Sequence, residues 1–130
     1  MTRKKILVVD DDEGLRRILG VTLGEEEFEL RYAGDGEEAI VMAAEFRPDL
    51  VLLDVMMPNV DGFQVCQVIK SNPKTRAARV VMLTASATEK DRARGRAAGA
   101  DEYFGKPFSP TKLLNRIYEL LDTGETSPSA

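Results

Sequence analysis

The sequence contains no histidine and a single cysteine, and these absences restrict its chemistry. Without histidine, the chain cannot build a serine–histidine triad, an imidazole acid–base catalyst or a histidine-ligated zinc site. Cys66 has no second cysteine with which to form an internal disulfide or a thiolate metal cluster, which fits a reducing compartment. Any chemistry of this chain therefore depends on carboxylates, hydroxyls, lysines or a bound ion.

Long apolar runs are also missing. No stretch remains apolar over the roughly 20 residues that a membrane-spanning helix needs. The basic amino end leads directly into the short apolar run Ile6–Val9, whereas a secretory signal needs a longer run and a small-residue cleavage site. The sequence therefore predicts a cytoplasmic protein with no membrane partner.

The residues that are present are typical of one folded domain. A chain of 130 residues, 43% hydrophobic and 31% charged, is long enough for one core and too short for two. Its 18 basic and 22 acidic residues give a net charge of -4, which predicts no direct nucleic-acid binding through bulk electrostatics. The last apolar anchor is Leu121, so we predict a domain over 1–121 and a flexible tail or linker start over 122–130.

Short aliphatic segments alternate with segments of helical period, a pattern that predicts parallel strands joined by crossover helices. The first, third and fourth segments are apolar without alternation, as expected for central strands covered on both faces. The second and fifth segments mix polar and apolar residues, which favours edge positions. The predicted strands are Lys5–Asp10, Phe28–Tyr32, Leu50–Asp54, Val80–Thr84 and Glu102–Gly105.

Helices are predicted between these strands and after the last one. Three of them are expected over 37–46, 62–70 and 89–98, and apolar stripes mark the first and the last helix. The stripes comprise Leu15, Ile18, Leu19, Thr22 and Leu23 in the first helix and Leu113, Leu114, Ile117, Leu120 and Leu121 in the last. Boundary residues agree with these helices: a capping box at Asp35 and Glu38, a start at Ser109-Pro110 and a stop at Gly99.

Polar residues follow the strands at the edge where an open α/β sheet binds its ligands. Asp10, Asp11 and Asp12 end the first strand, Asp54 ends the third, Thr84 ends the fourth and Lys106 follows the fifth. Converging carboxylates repel one another unless a cation compensates them, and Mg²⁺ is a hard cation that takes oxygen ligands. Mg²⁺, Lys106 and the Thr84 hydroxyl would together surround a phosphoryl group, with Asp54 as its nucleophile.

Each of these residues also has an ordinary structural interpretation. Asp11 and Asp12 suit a solvated N-cap pair. Asp54 and Thr84 suit strand ends, and Lys106 suits an exposed surface lysine. Four strands that end in complementary groups at one edge are poorly explained by four independent causes, so the joint pattern favours a site.

The sequence matches one protein family from Lys5 to Leu121, and four segments carry the match by their order and spacing. They are Ile6–Asp11, Asp54–Pro58 followed by Asp61-Gly62, Val80–Ala85, and Ala98–Phe108. In these segments the sequence closely resembles the receiver domains of two-component response regulators, including chemotaxis-type regulators. The resemblance implies a doubly wound, flavodoxin-like α/β fold: a five-stranded parallel sheet in the order 2-1-3-4-5 with helices on both faces.

The same resemblance implies a set of metal ligands for Mg²⁺. Asp11 would coordinate the ion directly and Asp10 would act mainly through water. Asp54 would both bind the metal and accept the phosphoryl group. The backbone carbonyl of Met56 would complete the protein ligands.

The resemblance also implies the parts of a switch. Thr84 would sense the phosphoryl group through its hydroxyl, Lys106 would bind it through its ammonium, and Tyr103 would be the aromatic switch. The phosphoryl group would draw in the Thr84 hydroxyl and vacate space into which the ring of Tyr103 rotates. That motion would change the surface of the fourth helix, fifth strand and fifth helix. A cis peptide bond is expected before Pro107.

Because the chain lacks histidine, the phosphoryl group has to come from another molecule. The resemblance identifies the donor as a sensor histidine kinase or a histidine phosphotransfer protein. The domain would be a regulatory phosphoacceptor that catalyses its own phosphorylation and dephosphorylation, rather than a metabolic enzyme. The surface of the fourth helix, fifth strand and fifth helix is predicted to dock an effector domain or a second receiver. Its fourth helix carries Lys90, Arg92, Arg94 and Arg96.

Two other functions fit part of the pattern. In a Mg²⁺-dependent phosphatase resembling the haloacid dehalogenase class, Asp10 would be the nucleophile and Asp12 the general acid. Gly14 stands where that class prefers threonine or valine, however, and Asp54 is left unexplained. A receiver-like binding module would keep the fold but act without phosphorylation, and the intact acidic site argues against it.

Overall fold

The computed structural model describes residues 3–24, 27–57, 61–85 and 88–122. Within these ranges strands and helices alternate strictly along the chain. The strands are β1 (Lys4–Val9), β2 (Phe28–Ala33), β3 (Leu50–Asp54), β4 (Arg79–Thr84) and β5 (Glu102–Gly105). The helices are α1 (Glu13–Leu23), α2 (Gly36–Phe46), α3 (Gly62–Ser71), α4 (Glu89–Ala98) and α5 (Pro110–Asp122).

All pairings in the sheet are parallel, and the strand order is β2-β1-β3-β4-β5. This confirms the predicted order, with β2 and β5 at the edges. The register places Asp54 opposite Leu83 and Thr84 opposite Gly105. The carboxyl ends of β3, β4 and β5 therefore lie side by side at one edge of the sheet.

The central strands contribute to two cores because successive side chains point to opposite faces. On the face of α2, α3 and α4, the buried strand residues are Leu7, Val9, Val51, Leu53, Val80 and Met82. On the face of α1 and α5, they are Ile6, Val8, Leu50, Leu52, Val81 and Leu83. Both sets are apolar, which explains why these strands show no alternation in sequence.

Several helix boundaries are confirmed by their hydrogen bonds. The Asp35 side chain accepts from the backbone N–H of Glu38, while the Glu38 side chain accepts from the N–H of Gly34. The reciprocal bond of the predicted capping box thus reaches one residue further back than the N-cap. Gly99 ends α4 with φ of 104°, a left-handed conformation that favours glycine. Ser109 accepts from the N–H of Lys112 at the start of α5.

Two expectations are corrected by the structure. β1 ends at Val9, so Asp10 lies beyond the strand rather than in it. Ile18, placed in the buried stripe of α1, is 54% exposed, whereas Leu19 and Leu23 are buried. The predicted stripe is wider than the surface that the sheet and α5 cover.

Residues 123–130, which form most of the predicted tail, lie outside the described residues, as does Pro58. Among the residues that the structure describes, no helix is both long and apolar enough to cross a membrane.

Candidate functional site

The candidate site lies at the carboxyl ends of four strands and is built around three aspartates. Side-chain oxygens of Asp10, Asp11 and Asp54 lie within 4.8 Å of one another. Asp10 and Asp54 are only 1% and 5% exposed, and Asp11 is exposed at the rim. The structure therefore brings together the three side chains that the sequence predicts as an acidic cluster.

Backbone amides hold the two buried carboxylates in place. One oxygen of Asp10 accepts from the N–H of Asp12 at 2.8 Å, and one oxygen of Asp54 accepts from the N–H of Met56 at 3.0 Å. The second oxygen of each carboxylate faces the Lys106 ammonium, at 3.2 Å from Asp10 and 3.5 Å from Asp54. The peptide bond between Lys106 and Pro107 is cis, as expected.

The charges at this site are not balanced. Three carboxylates converge in the described cluster, and the Lys106 ammonium lies beside two of them, so acidic groups outnumber the basic group. Burial raises the pKa of Asp54, and the nearby Asp10 charge raises it further. The Met56 N–H and Lys106 act in the opposite direction and do not cancel this effect. A hard cation with oxygen preference is the natural complement of such a cluster.

Asp61 and Gly62 contact the described residues that directly follow β3. Asp61 caps α3 by accepting from the N–H of Phe63 at 2.8 Å, and it forms a β-bridge with Met56. A Cβ atom on Gly62 would lie 2.5 Å from the Val55 Cα atom, so only glycine fits this close approach. Asp61 and Gly62 thus position the backbone of Met56, whose carbonyl is the fourth predicted ligand.

Thr84 and Tyr103 lie beside this site and contact each other. Thr84 is fully buried and Tyr103 is 8% exposed. A hydrogen bond joins their side chains. Burial raises the pKa of Tyr103, and Asp91 adds to this effect. The ring is therefore at the inward end of the rotation implied by the family resemblance, and the rotation itself stays a prediction.

Sequence reasoning missed one contact with the site. The Arg16 guanidinium donates to the backbone carbonyl of Asp10 at 2.7 Å. This bond links α1 to the turn that carries the acidic residues. The sequence signal is an arginine four residues after the N-cap Asp12, which is too common in helices to identify the contact.

The geometry does not favour the phosphatase alternative. Asp12, its expected general acid, caps α1 by accepting from the N–H groups of Gly14 and Leu15 at 2.9 and 3.2 Å. Its carboxylate therefore has a structural role. Asp54, which that alternative leaves unexplained, lies at the centre of the cluster instead.

The fold and the site together define a phosphoryl-accepting regulatory domain of the doubly wound class. The chain belongs to the response regulator receiver domain family, which its residues 6–118 match. It is thus a receiver domain of a two-component response regulator.

Two curated relatives illustrate this membership. The chain is 41% identical over 127 residues to the DNA-binding response regulator MtrA of Mycolicibacterium smegmatis, covering 98% of this chain and 54% of MtrA. It is 44% identical over 117 residues to the transcriptional regulatory protein ResD of Bacillus subtilis, covering 90% of this chain and 48% of ResD. The chain therefore spans about half the length of these relatives.

Solved structures agree with the fold. The chemotaxis protein CheY4 of Vibrio cholerae superposes with a TM-score of 0.85 at 30% identity, covering 92% of this chain and 99% of CheY4. The BeF3-activated DrrB receiver domain superposes with a TM-score of 0.84 at 31% identity, covering 93% of this chain and 99% of that domain.

Proposed function

We propose that Asp54 is the phosphoryl acceptor of this receiver domain. The observation that carries the proposal is the convergence of Asp54 with Asp10, Asp11 and Lys106 at one edge of the sheet. A carboxylate oxygen of Asp54 attacks the phosphorus of a phosphohistidine. The new O–P bond forms as the N–P bond breaks, and the leaving imidazole nitrogen keeps the electron pair and takes a proton from solvent.

The chain's own residues support this reaction in distinct ways. The Met56 N–H orients the Asp54 carboxylate, and Lys106 supplies positive charge where the phosphoryl oxygens arrive. Thr84 offers a hydroxyl from the end of β4. These residues also lower the barrier for self-catalysed phosphorylation and for slow hydrolysis, which makes the domain a switch rather than a metabolic enzyme.

The acidic cluster suits a bound Mg²⁺ ion. Asp11, Asp54 and the Met56 carbonyl would hold it, with Asp10 acting through water. When bound, the ion supplies positive charge that offsets the aspartates and the phosphoryl oxygens. The fit rests on the donor set: hard oxygens of three carboxylates converge, and the Lys106 ammonium lies beside two of them.

Small-molecule phosphorylation followed by peptide mapping tests the acceptor. The wild-type chain is treated with phosphoramidate and Mg²⁺, and the acyl phosphate is trapped. We expect label on Asp54 and no label in the Asp54→Asn variant. Label on Asp10 would overturn the proposal in favour of the phosphatase alternative. If the wild type and Asp54→Asn bind a partner equally well under phosphorylating conditions, the phosphorylation-independent module is favoured.

The donor is proposed to be a histidine kinase or a histidine phosphotransfer protein, and we propose a groove beside Lys106 as its docking surface. A groove of about 520 Å³ opens beside Lys106 between α1 and the loop before α5. Its apolar lining consists of Leu15, Ile18, Pro107, Phe108 and Pro110. Ile18 is 54% exposed in this groove, which suits an apolar partner surface.

Charge placed in the groove tests this docking surface. We expect Ile18→Glu to slow phosphotransfer from a phosphohistidine donor protein at least tenfold. An apolar side chain that the complex with the donor would bury is replaced by a charge. Phosphorylation by phosphoramidate should stay unchanged. Val41→Glu, at a similarly exposed valine on α2, is the control. Equal effects of both variants on the protein donor would contradict the proposal.

The output surface is proposed to be formed by α4, β5 and α5, and to dock an effector domain or a second receiver. Support comes from the position of Tyr103 on β5, between Thr84 and α4. Light scattering with and without beryllofluoride and Mg²⁺ tests self-association. A dimer that forms only with the mimic supports a second receiver, and an unchanged monomer leaves the effector domain as the partner to test by affinity.

A cytoplasmic location remains a prediction that cell fractionation can check.

A further inference from the structure

The ring of Tyr103 packs directly against the backbone of α4. A Cβ atom on Gly95 would lie 2.8 Å from one edge carbon of the ring and 3.2 Å from the sulfur of Met82. No side chain fits there while the ring is inward. The helix and the ring can therefore keep these positions together only because residue 95 is glycine.

Arg92, one turn earlier in α4, covers the same tyrosine. Its guanidinium carbon lies 5.5 Å from the ring centroid, within the range of a cation–π interaction. The guanidinium also donates to the backbone carbonyl of Tyr103 at 3.2 Å. Arg92 thus contacts both the ring and the backbone of Tyr103, the residue that packs against Gly95.

The inward ring has a chemical consequence at Thr84. The hydrogen bond between the two hydroxyls can run in either direction. A phosphoryl group on Asp54 offers only acceptor oxygens, so Thr84 must donate to it. Tyr103 must then donate to Thr84, and the resulting chain of hydrogen bonds is cooperative. Holding the ring inward therefore orients Thr84 for the phosphoryl group.

We infer that Gly95 and Arg92 form a cradle on α4 that holds Tyr103 inward and thereby strengthens phosphoryl binding at Asp54. Gly95 provides the space and Arg92 is the positioning residue. The cradle itself rests on contacts in the structure, whereas its effect on phosphoryl binding rests on the proposed function of Asp54.

Fluorine NMR and a phosphoryl mimic test the cradle. The three tyrosines are replaced by 3-fluorotyrosine, and the Tyr103 resonance is assigned with Tyr103→Phe. We expect Arg92→Ala to move this resonance toward that of an exposed tyrosine and to weaken beryllofluoride binding about two- to fivefold, the loss of one cation–π contact. Arg92→Lys should stay within about twofold of wild type, because lysine keeps the cation over the ring.

Arg96→Ala is the matched control, since it removes the same charge from the same helix at a residue that is 66% exposed. It should change neither readout. Gly95→Ala should also displace the ring, and circular dichroism checks its folding. An unmoved resonance in Arg92→Ala, or equal effects of Arg92→Ala and Arg96→Ala, would overturn the cradle. If the wild type fails to bind beryllofluoride, the proposed function fails instead, and the fluorine shifts of the ligand-free variants still decide the cradle.

Discussion

At position 54 the carboxylate that is proposed to react is also one that the fold holds at an energetic cost. Burial and the charge of Asp10 raise its pKa despite the nearby Lys106. Folding therefore favours the protonated carboxyl. The stabilisation that the fold gains from a protonated Asp54 is fully present below the unfolded pKa of this carboxyl. It is lost as pH rises through the folded pKa.

Asp54→Asn should consequently be more stable than the wild type at pH 7.5, by on the order of 1 kcal/mol. Near pH 4 the difference should shrink because the wild-type carboxyl is then partly protonated. Denaturant unfolding in the presence of a chelator measures both values. A variant less stable than the wild type at pH 7.5 would show that the Lys106 attraction outweighs burial.

A bound cation should reverse this cost. Mg²⁺ is expected to raise the free energy of unfolding of the wild type, by about 2.7 kcal/mol at roughly one hundred times its Kd. Asp11→Asn and Asp54→Asn should lose most of that gain. Thermal melts with increasing Mg²⁺ provide the measurement.

Asp12→Asn is the matched control for this metal response. It removes a carboxylate next to the cluster, yet asparagine caps a helix as well as aspartate. Its Mg²⁺ response should equal that of the wild type. A response lost equally in all three variants would indicate a diffuse effect of net charge rather than a site.

At the scale of elements, the start of α3 determines where Val55 and Met56, directly after β3, can lie. Gly62→Ala would force its Cβ atom against the Val55 backbone, and we expect a loss of about 1–3 kcal/mol from such overpacking. The same shift should weaken beryllofluoride binding, because Met56 directly follows Val55. Gly14→Ala is the control, since its Cβ atom would approach a side-chain oxygen at 3.3 Å. Unfolding and binding titrations compare the two.

The elements also show how far sequence patterns reach. β3 is recognisable in the sequence from four consecutive apolar residues before Asp54. The end of α4 is recognisable from Gly99, although few residues of that helix are apolar. The acidic cluster follows from strand ends meeting at one edge. The contacts of Arg16 and Arg92 could not be predicted, since they join residues through three-dimensional packing that no local period encodes.

For the whole molecule, the described core ends within α5. Leu113, Ile117 and Leu120 pack against the sheet, and Leu121 is the last of this buried set. A chain shortened to residues 1–122 should therefore keep the stability of the full chain within about 0.5 kcal/mol. Comparison of the two unfolding curves checks this domain boundary, and a larger loss would place structural residues in the tail.

Local stability differs between the elements of the fold. α4 has Gly95 and Ala98 as its buried residues, whereas every residue of β3 is buried. Little apolar surface is exposed when α4 detaches, so the free energy of that local opening is small compared with global unfolding. Amide hydrogens of α4 should accordingly exchange with deuterium well before those of β3, and a signal passed through α4 would move a segment that costs little to displace.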